Sequence, residues 1–253
     1  MIDQSRILYR ISATTKLINI KIDEEFNFDS TNDAFIISEG SVLSIGDRNL
    51  TQILNDGDPI GFAEAILAKK NLLRYRRYTD LKLIKIDGSL LRKEVNNAHI
   101  VVKSIIKYNL ARIFGNSNSK ARFLLEEKFI RNNENFLNKR EFEPYSKIFL
   151  SEHEARSMYF IEEGAVSLFT KNNRKLANLK SGDTFGESAL IAGRSRNNSA
   201  ITSEKTVLIQ IDAKRLSAQV ANEKPLVQLA LLNVIKRLDL SNQMKFADDF
   251  AKK

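Results

Sequence analysis

The sequence predicts a mainly β protein with flanking helices, built from one unit repeated twice. Three observations predict it. Matching segments recur at a nearly constant spacing of 125 residues. The segments are short β-branched runs split by Gly-Asp and Asn-rich turns. Each set of such runs is then followed by apolar residues at helical spacing.

The repeat has four anchors. Phe35-Ile36-Ile37-Ser38-Glu39-Gly40-Ser41-Val42 matches Tyr159-Phe160-Ile161-Glu162-Glu163-Gly164-Ala165-Val166, each an apolar strand, an acid, a turn glycine and a new strand. Ile53-Leu54-Asn55-Asp56-Gly57-Asp58-Pro59-Ile60-Gly61 matches Asn178-Leu179-Lys180-Ser181-Gly182-Asp183-Thr184-Phe185-Gly186. Within this pair Gly57 and Gly182 stand 125 residues apart, as do Gly61 and Gly186. Leu83-Ile84-Lys85-Ile86-Asp87 and Leu208-Ile209-Gln210-Ile211-Asp212 keep the same register, and only Gly40 with Gly164 is off by one.

In chain order, strands are expected over Ala34–Ile45, Thr51–Leu54 and Arg74–Asp87 of the first copy. Gly88-Ser89 should cap one helix running past His99 to Phe114. Gly115-Asn116-Ser117-Asn118-Ser119 is a compositional break, which puts a boundary near residue 117 and defines domains 1–117 and 118–253. Phe123, Leu124, Glu127 and Ile130 predict a helix opening the second domain. Strands follow over Ser157–Thr170, Arg174–Lys180 and Ile201–Asp212, and then a helix over Ala213–Ala221. Pro225 suits the first turn of a last helix to about Phe246, with a stripe of Leu226, Leu229, Ala230, Val234, Ile235 and Leu238.

Composition narrows the function. No apolar run approaches the roughly 20 residues that span a bilayer. The first residues lack a secretory layout, so a cytoplasmic address is the default expectation. Without cysteine there is no disulfide, thiolate metal site or cysteine nucleophile. His99 and His153 are isolated, and no Gly-Lys-Ser phosphate loop or kinase motif occurs. The protein is therefore not expected to be an enzyme, nor to hold a metal. Its net charge of +9 fits either a polyanion-binding surface or a generally basic coat.

The second copy carries the informative motif. Ile148-Phe149-Leu150-Ser151-Glu152 precedes Met158-Tyr159-Phe160-Ile161-Glu162-Glu163-Gly164, and then comes Gly182-Asp183-Thr184-Phe185-Gly186-Glu187-Ser188-Ala189-Leu190-Ile191. In this order and spacing the fragments resemble the cyclic-nucleotide-binding domain family, over about residues 120–245 and more weakly over 15–115. The resemblance implies two tandem double-stranded antiparallel β-rolls, jelly-roll-like, each followed by helices. It also implies a ligand, a cyclic nucleotide (cAMP, cGMP or a cyclic dinucleotide). A protein partner would read the signal through movement of the C-terminal helix.

By the same resemblance, a short helix starting at Gly186-Glu187 points amides at a phosphate, with glycine permitting close approach. Glu187 would accept a ribose hydroxyl, the amides of Ser188 and Ala189 would complete the cradle, and Arg196 would pair with the phosphate. Arg194 is the rival for that contact. Asn197, Asn198 and Ser199 follow where the family has small residues, which predicts a loop one or two residues longer. Asn197 and Asn198 could reach a base edge or a second phosphate. Ser195 replaces the usual Pro, and Pro144-Tyr145 the usual Pro-Gly.

The first copy is degenerate at the same positions, with Phe62 in place of Glu187 and Asn71 in place of Arg196. Glu64 would restore an acid, but only by a slip that puts Ala63 before it. Arg74 and Arg76 share one strand face, either a solvated edge or a phosphate-binding surface. Nucleic acid is thus a possible but less favoured partner, and the helices at 98–114 and 225–246 could form a homodimer. Family members that bind DNA add a helix-turn-helix beyond this helix. The sequence stops at Lys253, about where one would begin, so that output is not expected.

Overall fold

The computed structural model describes residues 3–28, 32–46, 51–114 and 138–250, with the side chains of 242–250 excepted. The expected break at 115–119 and helix at 123–130 lie outside the described residues. Two antiparallel β-rolls are present. In the first, β1 (Lys16–Ile20), β7 (Leu81–Ile86), β2 (Ala34–Glu39) and β5 (Pro59–Ile60) form one sheet in that order. Strands β4 (Thr51–Leu54), β3 (Val42–Ile45) and β6 (Arg74–Arg77) form the other. The second roll repeats the order with β8 (Asn138–Phe142), β15 (Thr206–Asp212), β10 (Ser157–Glu163) and β13 (Thr184–Phe185). Its facing sheet is β9 (Lys147–Phe149), β14 (Asn198–Thr202), β11 (Ala165–Thr170) and β12 (Lys175–Lys180).

Glycines at positive φ divide the long runs read from the sequence. Gly40 (φ 105°) separates β2 from β3, and Gly164 (φ 86°) separates β10 from β11. A side chain at Gly164 would meet the Lys205 carbonyl at 2.4 Å, so this hairpin needs glycine for space as well as for conformation. Each roll is filled from both sheets. The first core packs Phe28, Phe35, Ile37, Val42, Ile60, Leu81 and Leu83, the second Ile161, Val166, Leu168, Phe185, Ala200 and Leu208. Each of these side chains larger than alanine, once buried, contributes about 1.5–3 kcal/mol.

Seven helices are described: α1 (Gln4–Arg10), α2 (Phe62–Leu67), α3 (Gly88–Asn97), α4 (Ile100–Ile113), α5 (Glu187–Ala192), α6 (Ala213–Ala221) and α7 (Pro225–Phe250). The single helix expected over 88–114 is two, because Ala98 is extended (ψ 156°) after Asn96-Asn97, weak helix formers. Its cap is Asp87 rather than Gly88-Ser89: the carboxylate accepts the Leu90 amide at 2.8 Å. Asp212 caps α6 in the same way, accepting from Arg215 at 2.9 Å.

Among the described residues, 99–108 and 138–223 form one compact unit, and 3–98, 109–114 and 224–250 form the other. The C-terminal helix, expected to belong with the second copy, therefore groups with the first roll. Helix α7 packs there against α1, α2, α3 and β5, and Leu240 joins the first core. All ten of its residues from 226 to 235 are buried, the polar Gln228 and Asn233 included, so it is covered on every side rather than along a single stripe.

Candidate functional site

In the second roll a loop, two strands and Arg196 line one cleft, and Arg196 also holds the carbonyl of the glycine before a short helix. Gly186 is left-handed (φ 85°) and sits just before α5. A Cβ there would lie 2.9 Å from Arg196 Nη1 and 3.4 Å from the Ser157 carbonyl. That closeness is functional in form, because Arg196 folds back under the glycine. Its Nη1 donates to the Gly186 carbonyl at 2.6 Å and its Nη2 to the Ser157 carbonyl at 2.5 Å. The backbone is pinned too, since Arg196 N donates to His153 O at 2.8 Å and Glu152 N to Arg196 O at 2.7 Å.

Arg196 is only 5% exposed, and burial pulls its pKa below the ordinary value, partly offset by Tyr159 and Glu187. It remains a cation at neutral pH. Its guanidinium stands over the ring of Phe149, 4.1 Å from the centroid. Phe149 in turn meets Tyr159 and Phe185 at 6.1 and 5.9 Å between centroids, and those two stack at 5.2 Å. The Nε of Arg196 is buried and makes no hydrogen bond among the described residues. A cleft of about 480 Å³ opens beside it, lined by Ile148, Phe149, His153, Glu154, Arg156, Ser157, Tyr159 and Arg196.

The residues expected from the sequence fall into two groups. Gly186, Glu187 and Arg196 converge, with Glu187 1% exposed in the first turn of α5, close enough to favour the charged form of Arg196. Arg194 turns elsewhere. Its backbone N donates to Ala189 O at 3.0 Å, and its Nη2 lies 3.4 Å from the Ser188 hydroxyl. In the amide orientation that satisfies both groups, Asn197 accepts from Arg194 Nη1 and Nη2 at 2.9 and 3.2 Å. The Ser199 hydroxyl accepts from Ser151 N at 3.0 Å, a structural contact within the sheet. Of the site residues named from the sequence, Arg196 lines the cleft, while Gly186, Glu187, Ser188, Ala189, Arg194, Asn197, Asn198 and Ser199 do not.

Asn198 is already the first residue of β14, paired with Thr170, and residues 193–197 join helix to strand where the first roll uses 68–73. The aromatic wall was missed from the sequence. Phe149 and Tyr159 stood in quoted strand motifs, and strand alternation could have placed them on the inner face.

The first roll keeps the scaffold of this site without its chemistry. Gly61 is also left-handed (φ 73°) before α2, and Phe62 follows it, 1% exposed. A Cβ on Gly61 would meet Asn71 Oδ1 at 3.6 Å, where Gly186 meets Arg196. Asn71 thus occupies the arginine's place, as the repeat predicts, and donates instead to the Phe28 carbonyl at 3.3 Å. No group of three or more His, Asp or Glu that could hold a metal occurs among the described residues. No helix among them is long and apolar enough to cross a membrane.

Comparison with known proteins agrees with the cassette. Residues 139–223 match the family model of the cyclic nucleotide-binding domain. No curated protein matches the chain. Among solved structures, a regulatory subunit of a cAMP-independent protein kinase A from Trypanosoma brucei is 16% identical with a TM-score of 0.37, over 98% of this chain and 87% of that one. The regulatory domain of Toxoplasma gondii PKA with cAMP is 14% identical at a TM-score of 0.34, over 91% of this chain and 88% of that one. The EAL enzyme Bd1971 in its cAMP-bound form is 26% identical at a TM-score of 0.40, over 45% of this chain and 31% of that one. At these scores the likeness adds nothing to the fold traced above from its own strands.

Proposed function

We propose, from the match of residues 139–223 to the family model of the cyclic nucleotide-binding domain, that the protein is a non-enzymatic receptor for a cyclic mono- or dinucleotide bound in the second roll. The observation that carries the reading is Arg196. A guanidinium is held buried beside a cleft, fixed by two carbonyls and an aromatic ring, with its Nε still without a hydrogen bond. A buried donor of that kind is costly to leave unmet, and an anionic ligand satisfies it. In this reading Arg196 meets the cyclic phosphate, Glu187 a ribose hydroxyl, and the amides of Ser188 and Ala189 the remaining phosphate oxygen. Arg194, engaged with Ser188 and Asn197, shapes the rim.

The same proposal keeps residues 1–117 as a degenerate copy and 118–253 as the ligand-binding copy, as units of sequence. Output passes to a protein partner through the C-terminal helix. Because residues 226–235 of that helix are buried, it responds by repacking rather than by swinging through solvent. Calorimetry of the purified protein with cAMP, cGMP and cyclic dinucleotides tests the receptor reading, with Glu187→Ala and Arg196→Ala as controls. One of these ligands should bind and both substitutions should weaken it. No heat with any of them overturns the reading, and binding that survives both substitutions moves the site elsewhere.

A further inference from the structure

One buried pair of opposite charges lies apart from the cleft of the second roll. Glu64, in helix α2 of the first roll, is 2% exposed, and Arg237, in helix α7, is 5% exposed. Arg237 Nη2 stands 3.6 Å from Glu64 Oε1. Neither Glu64 oxygen accepts a hydrogen bond among the described residues, and Arg237 Nε donates none. Arg237 Nη1 is steadied by the Ser241 hydroxyl at 2.5 Å, one turn along its own helix.

The place of this pair gives it meaning. Helix α2 follows the left-handed Gly61 as α5 follows Gly186. In the second roll an arginine from the adjoining loop folds under that glycine. In the first roll Asn71 takes the position, so no guanidinium arrives from the loop, and the buried carboxylate of Glu64 is left to be neutralised from outside the cassette. The C-terminal helix supplies the cation. Its neighbour Lys236 donates to the Gly57 carbonyl at 3.0 Å and to Gln4 Oε1 at 2.8 Å, and Leu240, on the next turn, enters the first core. Lys236, Arg237 and Leu240 thus present one helix face to one roll.

We infer that the first roll is a receptor for a helix: its glycine-capped α2 binds, through Glu64, the guanidinium of Arg237 on the protein's own C-terminal segment. The sign of the site has been inverted relative to the second roll, from a cation awaiting an anion to an anion holding a cation. The pair is coulombic and lacks hydrogen bonds between its members, so each charge depends on the other for its burial. Loss of either member strands the other in the core. The inference stands on the first roll alone and does not require nucleotide binding by the second.

Hydrogen exchange of the full chain, read by mass spectrometry, tests it. Arg237→Glu and Glu64→Arg should each speed exchange of the helix amides at 226–240 by about tenfold or more, since each sets like charges together in a buried place. Strands Ser157–Glu163 and Thr206–Asp212 should keep their rates. The double reversal, Glu64→Arg with Arg237→Glu, should bring the helix back to within about threefold of the parent. The milder Glu64→Gln keeps the fold and should speed the same segment by less. Unchanged exchange in Arg237→Glu, or a double reversal no better protected than the single variants, overturns the inference.

Discussion

The guanidinium carbon of Arg196 stands 4.1 Å from the centre of the Phe149 ring, while two of its nitrogens hold the carbonyls of Gly186 and Ser157. This arrangement fixes where a positive charge is offered in the second roll before any ligand arrives. Little of its orientation needs to be organised on binding.

Arg196 and Arg194 should therefore separate cleanly. Arg196→Ala should weaken nucleotide binding about 30-fold, the equivalent of about 2 kcal/mol for a hydrogen bond to a charged group. Arg194→Ala should change affinity by less than about threefold, because its side chain serves Ser188 and Asn197. Isothermal titration of both variants checks this. A larger loss from Arg194→Ala would reverse the roles.

The ring under Arg196 should be worth measuring by itself. Phe149→Leu keeps most of the apolar contact with Tyr159 and Phe185 but removes the face beneath the cation. A double-mutant cycle of Phe149→Leu with Arg196→Ala should return a coupling of about 0.5–2 kcal/mol in denaturant unfolding. Phe149→Ala should cost about 2–3 kcal/mol, less than a fully buried phenylalanine.

Two glycines of similar conformation should behave differently. Gly57 (φ 82°) has only Gln4 Nε2 near a Cβ, at 3.8 Å, so Gly57→Ala should cost about 1 kcal/mol from backbone strain alone. Gly186→Ala adds a 2.9 Å approach to Arg196 Nη1 and should both destabilise more and lower nucleotide affinity. Thermal unfolding and titration, run on both variants, test the pair.

Lys236 sets a pH dependence. Burial holds it below its ordinary value of 10.5, partly offset by Asp58. The unfolded chain then binds this proton more readily than the folded one in the window below 10.5, so stability rises with pH across that window. The penalty is complete below the folded value and vanishes above 10.5. The melting temperature of the parent, relative to Lys236→Met, should climb as pH rises toward 10.5. A flat difference would mean that the lysine is fully solvated.

The repeat was legible because turns demand particular residues. Gly57 and Gly182, and Gly61 and Gly186, all have positive φ, so chemistry preserved them at matched positions in both copies. Asp87 and Asp212 reveal the same register as caps. The cassette was legible because its residues are close in sequence. The destination of the C-terminal helix was not. Apolar spacing announces a buried helix without saying against what, and Glu64 and Arg237 are joined by no motif. Phe149 was visible only as a strand residue, since its value lies in the arginine above it, which arrives from a loop far along the chain.

Leu240 in the core of the first roll has a consequence for synthesis. Domains made on the ribosome generally fold in order, the earlier one while the later is still being translated. Here the first of the two rolls closes its interior with a residue translated only after the whole of the second. The first roll must wait, incompletely packed, until all of the second roll and the helix after it have left the exit tunnel.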